Sequence, residues 1–80
     1  MVKTGVVILG HGSRGELGAP EVMGTLRRVA SGIKQFLSPG VETIGAALQF
    51  NPPNLEEAVE FLIRRSVRQL VIAPYFLFPG

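Results

Sequence analysis

The chain has 80 residues, 46% of them hydrophobic, with a net charge of +2 and no cysteine. This length allows one small domain, near the size where a single core is only marginally sufficient. The missing cysteine excludes a disulfide scaffold and any thiolate metal site. Gly10-His11-Gly12 interrupts the first apolar run and Pro74 the last, so no stretch reaches the length of a membrane span. One lysine ahead of a four-residue apolar run is too little for a signal peptide. A soluble, cytoplasmic protein with no membrane partner is therefore expected. The charge says little about nucleic acid and does not oppose an anionic ligand. A mean hydropathy of +0.33 is high for so short a chain. It implies burial against a partner, so a homo-oligomer, or membership of a larger fold.

Val6 to Leu9 is a continuous, largely β-branched run, the pattern of a strand buried on both faces of a parallel sheet. A helix is predicted to start near Pro20, with Val22, Leu26, Val29, Ile33 and Leu37 forming one apolar stripe. Gly24 and Gly32 weaken it, and Pro39-Gly40 ends it. Val41 to Phe50 is predicted as a second strand, its Gly45, Ala46 and Ala47 allowing a helix to pack closely. Asn51-Pro52-Pro53 is a loop, and Asn54 with Glu57 makes a capping box for a second helix. Leu55, Ala58, Val59 and Leu62 supply its buried stripe; Glu56 and Glu57 sit in its first turn, Arg64 and Arg65 in its last. Leu70 to Ala73 is the third strand, followed by the apolar Pro74–Gly80. The order β-α-β-α-β joins parallel strands by helical crossovers, giving half of a doubly wound, three-layer α/β/α sheet. Residues 1–80 are expected to form a single domain, incomplete at its C-terminal end.

Gly10-His11-Gly12-Ser13-Arg14-Gly15 places the only histidine at the end of the first strand. In an open α/β sheet, ligands bind at the carboxyl ends of strands. The bland reading is a histidine in a tight turn, hydrogen-bonded to backbone and serving packing alone. Its place between glycines, with a hydroxyl and a guanidinium just beyond, favours chemistry instead. Neutral imidazole is a common metal ligand and a base near neutral pH. Ser13 is suited to orient it or to bind substrate, and Arg14 to grip a carboxylate or phosphate. Gly10, Gly12 and Gly15 have the spacing of a dinucleotide fingerprint, but Lys34-Gln35-Phe36 stands where the ribose-binding acid belongs. No G-x-S-x-G elbow occurs. A histidine phosphatase needs arginine before the histidine, and Gly10 is there. Arg27-Arg28, Arg64-Arg65 and Arg68 are solvated helix faces and ends, so no nucleic-acid partner is expected. Phe76 and Phe78 are expected in core or interface, and the segment from Tyr75 to Gly80 is placed to wall a pocket beside His11.

Three blocks together resemble the sirohydrochlorin cobaltochelatase/ferrochelatase family, the small class II chelatases of cobalamin and sirohaem biosynthesis. They are Val7–Arg14, then Ala46-Ala47-Leu48-Gln49 running into Pro52 or Pro53, then Val71–Gly80. The similarity covers the whole chain in the family's order. It implies a chelatase-like, flavodoxin-like sheet and ATP-independent insertion of Co²⁺ or Fe²⁺, or Ni²⁺, into a polycarboxylate tetrapyrrole, sirohydrochlorin or a close relative. The metal is a substrate, and no tightly bound cofactor is implied. His11 matches the family's first metal-binding histidine and is the expected catalytic and metal residue; Gly12, Ser13 and Arg14 are the expected substrate contacts. Two departures stand out: the family's second histidine and following acid do not occur after Pro79-Gly80, and Gln49 stands where many relatives have glutamate. A complete site then needs water, substrate nitrogens or a second subunit. The alternative is a non-catalytic metal or tetrapyrrole-binding module, or an inactive fragment.

Overall fold

The structure, a computed structural model, describes residues 2–13 and 18–75. Along the chain run β1 (Thr4–Gly10), α1 (Gly18–Lys34), β2 (Glu42–Ala47), α2 (Leu55–Arg64) and β3 (Gln69–Pro74). The strands form one parallel sheet in the order β2-β1-β3. Val7 of β1 lies between Ile44 and Ile72, and Ile8 between Gly45 and Ala73. Because side chains alternate across a strand, each face of β1 serves a different helix. Val7, Leu9 and Ala46 pack with Ala58, Leu62 and Val67, whereas Ile8 and Ala47 pack with Met23, Leu26 and Ala30. The two helices therefore cover opposite faces, and the expected three layers are present.

The first crossover leads from β1 to β2, and the second passes over β1 to reach β3 on its other side. The strand order thus reverses at β1. The carboxyl end of that central strand is where such sheets open a crevice for ligands.

Several boundaries differ from the sequence expectation. Helix α1 begins at Gly18, so Pro20 sits within its first turn, where a backbone N–H has no intrahelical partner anyway. The centre of its buried face is Met23, Leu26 and Ala30, with Val22, Val29 and Ile33 flanking it. Leu37 lies past the helix, its N–H bonded to the Lys34 carbonyl at 3.1 Å. The small β2 residues explain the shift: a Cβ on Gly45 would stand 3.0 Å from Leu26 Cβ, so the sheet accepts the helix at close range. Strand β2 stops at Ala47, not Phe50. Phe50 adopts φ +72°, which breaks the extended path, and the Asn51 N–H returns to the Gln49 carbonyl at 2.9 Å. β1 and β3 are each longer than expected.

The capping box of α2 forms as predicted. Glu57 N–H donates to Asn54 Oδ1 at 2.8 Å, and Asn54 N–H donates to Glu57 Oε1 at 2.9 Å. At the other end Arg65 is the cap residue and not part of the last turn. Its guanidinium holds Glu42 at 2.9 Å, with Lys3 at 3.6 Å, on the amino edge of the sheet, away from His11. β3 pairs with β1, but neither helix covers it, and Leu70, Val71 and Ile72 are partly exposed. Among the described residues no helix is long and apolar enough to cross a membrane.

Candidate functional site

β1 delivers Gly10 and then the exposed His11 to the carboxyl edge of the sheet. Main-chain bonds tie this turn to the segment that follows β2. Leu48 N–H donates to the Gly10 carbonyl at 2.8 Å, and Gln49 N–H to the His11 carbonyl at 3.2 Å. Gly12 has φ +90°, and a Cβ there would overlap the Gln49 carbonyl oxygen. Only glycine combines that backbone conformation with so close an approach. Asn51 completes the attachment: its Oδ1 accepts from Ser13 N–H at 2.6 Å, and its Nδ2 donates to the Ser13 carbonyl at 2.9 Å. The Ser13 hydroxyl faces the start of α1, where a Cβ on Gly18 would come within 2.6 Å of it.

A pocket of about 80 Å³ lies between the turn (Gly10, His11 and Gly12), Val22, Thr25 and Leu26 of α1, and Tyr75. Tyr75 is placed there by its N–H, which donates to the Leu9 carbonyl at 2.7 Å. A water occupies about 30 Å³ of liquid, so this space takes a few waters or a hydrated ion. It is far below the roughly 300–1,000 Å³ of a drug-sized ligand pocket.

His11, Gly12 and Ser13 thus meet at one edge, whereas Arg14 and residues 76–80, including Phe76 and Phe78, lie outside the described residues. Among the described residues no three His, Cys, Asp or Glu side chains gather as a metal cage. A closed four-ligand shell is the mark of a structural metal site. Sequence reasoning missed Asn51 and Thr25. Asn51 had a signal: in adjacent parallel strands the residues just after β2 must run beside those just after β1.

A three-stranded parallel sheet with helices on both faces, and an imidazole at the end of its central strand, is a small α/β architecture consistent with a chelatase-like fold. The CbiX family model matches residues 5–80, and the chain belongs to that family, the sirohydrochlorin cobaltochelatases. At the level of the family this means chelatase activity, the insertion of a metal ion into a tetrapyrrole. No curated protein sequence matches the chain significantly.

Proposed function

We propose that the chain acts as a sirohydrochlorin chelatase, inserting Co²⁺ or Fe²⁺ into the tetrapyrrole without ATP, in cytoplasmic cobalamin or sirohaem biosynthesis. The observation that carries this reading is the exposed His11, fixed by flanking glycines at the carboxyl end of the central strand. Insertion exchanges two pyrrole N–H protons for one divalent ion. His11 holds the incoming ion through one ring nitrogen, and the remaining positions are filled by water and then by pyrrole nitrogens. Once the ion has moved to the ring, the vacated imidazole nitrogen accepts one pyrrole proton and water takes the other. Gly12 lets the macrocycle approach the main chain. Ser13 and Arg14 bind its carboxylate rim, Arg14 by a two-pronged guanidinium contact. The uncovered β3 supports assembly into a homo-oligomer.

The lone histidine of the chain supports a second reading, a module that binds metal or tetrapyrrole without insertion. Incubation of the purified chain with sirohydrochlorin and Co²⁺, followed by absorbance, separates the two. The chelatase reading expects Co-sirohydrochlorin to form over many turnovers and His11→Ala to abolish it. Binding of either partner without turnover would establish the module.

A further inference from the structure

Strand β2 is an edge of the sheet, paired with β1 on one side only. Main-chain groups of successive residues point to alternate sides of a strand, so the bonds that form show which residues face outward. Leu48 N–H turns inward to the Gly10 carbonyl at 2.8 Å, and Ala47 N–H turns outward to the Pro53 carbonyl at 2.9 Å. By that alternation Thr43 and Gly45 each direct an N–H and a carbonyl to the open edge. Asn54 covers the edge at Ala47 through a parallel bridge. Among the described residues, nothing pairs with Thr43 or Gly45 on that side. Gly45 is buried, and an unpaired main-chain group there costs about as much as a lost hydrogen bond.

This stretch of edge is the floor of a groove of about 360 Å³. Met23, Arg27 and Ala30 of α1 form one wall and Phe61 of α2 the other, with Pro53 at the end. Phe61 is 44% exposed, and Arg65 lies 5.5 Å from its ring centroid. Proteins commonly blunt such edges with proline, a charge or a covering loop. Here Pro53 and Asn54 do so at Ala47, while Thr43 to Gly45 stay open between the helices.

We propose that the β2 edge docks an extended segment of a partner protein, which adds as a strand beside Thr43–Gly45. Its main chain takes the free N–H and C=O groups, and its alternate side chains meet the two walls. Charge selects the occupant. Arg27 stands exposed on the α1 wall and enters no ion pair among the described residues. Helix α1 carries Arg27, Arg28 and Lys34 against Glu21 alone. A second copy, joined along this edge by antiparallel strands, would bring α1 beside α1 on one face, cation against cation. The groove therefore fits a partner segment with acidic side chains toward α1 and apolar ones toward Phe61. The site lies on the flank of the sheet and does not depend on the chelatase reading.

The test titrates the isotope-labelled full chain with a blocked peptide alternating valine and glutamate, followed by amide NMR. Saturable shifts at the Thr43 and Gly45 amides, with slowed hydrogen exchange, are expected. N-methylation of the peptide amides removes the donors of the added strand and should weaken binding by about tenfold or more. Arg27→Glu should weaken the same peptide by about tenfold, improve binding of a valine–lysine peptide, and leave the melting temperature near wild type. No saturable shift at Thr43 and Gly45 would overturn the site, as would equal binding of the parent and N-methylated peptides. Equal affinity of wild type for the glutamate and lysine peptides would overturn the acidic partner. A dimer in sedimentation velocity that the peptide dissociates would give the edge to a second copy and overturn the proposal.

Discussion

The side-chain amide of Asn51 pairs with both main-chain polar groups of Ser13, accepting from its N–H at 2.6 Å and donating to its carbonyl at 2.9 Å. One side chain thereby does what another residue of β-ladder would do, and it holds the far end of the histidine turn. Each such bond contributes about 0.5–1.5 kcal/mol net. Asn51→Ala should therefore destabilise the chain by roughly 1–3 kcal/mol and lower chelatase turnover as the turn loosens. Asn51→Asp keeps the acceptor but sets a carboxylate oxygen against the Ser13 carbonyl, so it should be no more stable than the alanine variant. Thermal denaturation of the three proteins checks this; an aspartate variant as stable as wild type would exclude the Nδ2 bond.

Gly12 tests the same attachment from the other side. Alanine there needs φ +90° and overlaps the Gln49 carbonyl oxygen. The backbone strain alone is worth about 1–3 kcal/mol, and displacing the Leu48–Asn51 segment adds to it. Gly12→Ala should lower the melting temperature and abolish turnover, even though no functional group is removed. Unchanged stability, measured by denaturant unfolding, would mean that the turn and the segment are not in contact.

Glu42 gives a pH dependence centred away from the histidine edge. The Arg65 hydrogen bond, above all, holds its carboxyl below the ordinary value of 4.5; the charges of Arg65 and Lys3 add to this, and burial opposes it. A carboxyl whose pKa is lower in the folded state binds more protons when unfolded, so its contribution to stability rises with pH. That contribution is complete above the unfolded carboxylate range and is lost as pH falls through the depressed folded value. The stability difference between wild type and Glu42→Gln should thus be constant near neutrality and shrink on acidification below 4.5. It should also shrink with added salt, since Arg65 is half exposed. Urea unfolding across that pH range checks both, and a difference that grows on acidification would contradict the assignment.

The elements were legible where their signals are local. Val6–Leu9 between glycines marks β1, and Asn54 with Glu57 marks the start of α2. The end of β2 was not legible, because a positive φ at Phe50, a residue other than glycine, leaves no trace in a hydrophobic pattern. The face of α1 came out rotated for a related reason. Sequence spacing rewards the large residues Val22, Val29 and Ile33, whereas the small Gly45 and Ala47 of β2 draw α1 close and turn Met23 and Ala30 inward. At the site, the Gly10-His11-Gly12 turn is a local signal. Asn51 is not: it lies 38 residues from Ser13, and the two meet only when β1 and β2 pair.

The last prediction separates metal from tetrapyrrole. His11 is exposed and carries no part of either core cluster, so His11→Ala should leave the chain folded. The same variant should lose Co²⁺ binding, because the only imidazole is gone. Arg14, four residues past the end of β1, addresses carboxylates instead. Arg14→Ala should weaken sirohydrochlorin binding by roughly 1–3 kcal/mol while leaving Co²⁺ binding unchanged. Arg14→Lys should recover only part of that loss, since an ammonium cannot reproduce the planar fork of the guanidinium. Calorimetry with Co²⁺ and fluorescence titration with sirohydrochlorin, on all four proteins, give a two-by-two pattern. Loss of Co²⁺ binding in Arg14→Ala, or its retention in His11→Ala, would break the division of labour between the two residues.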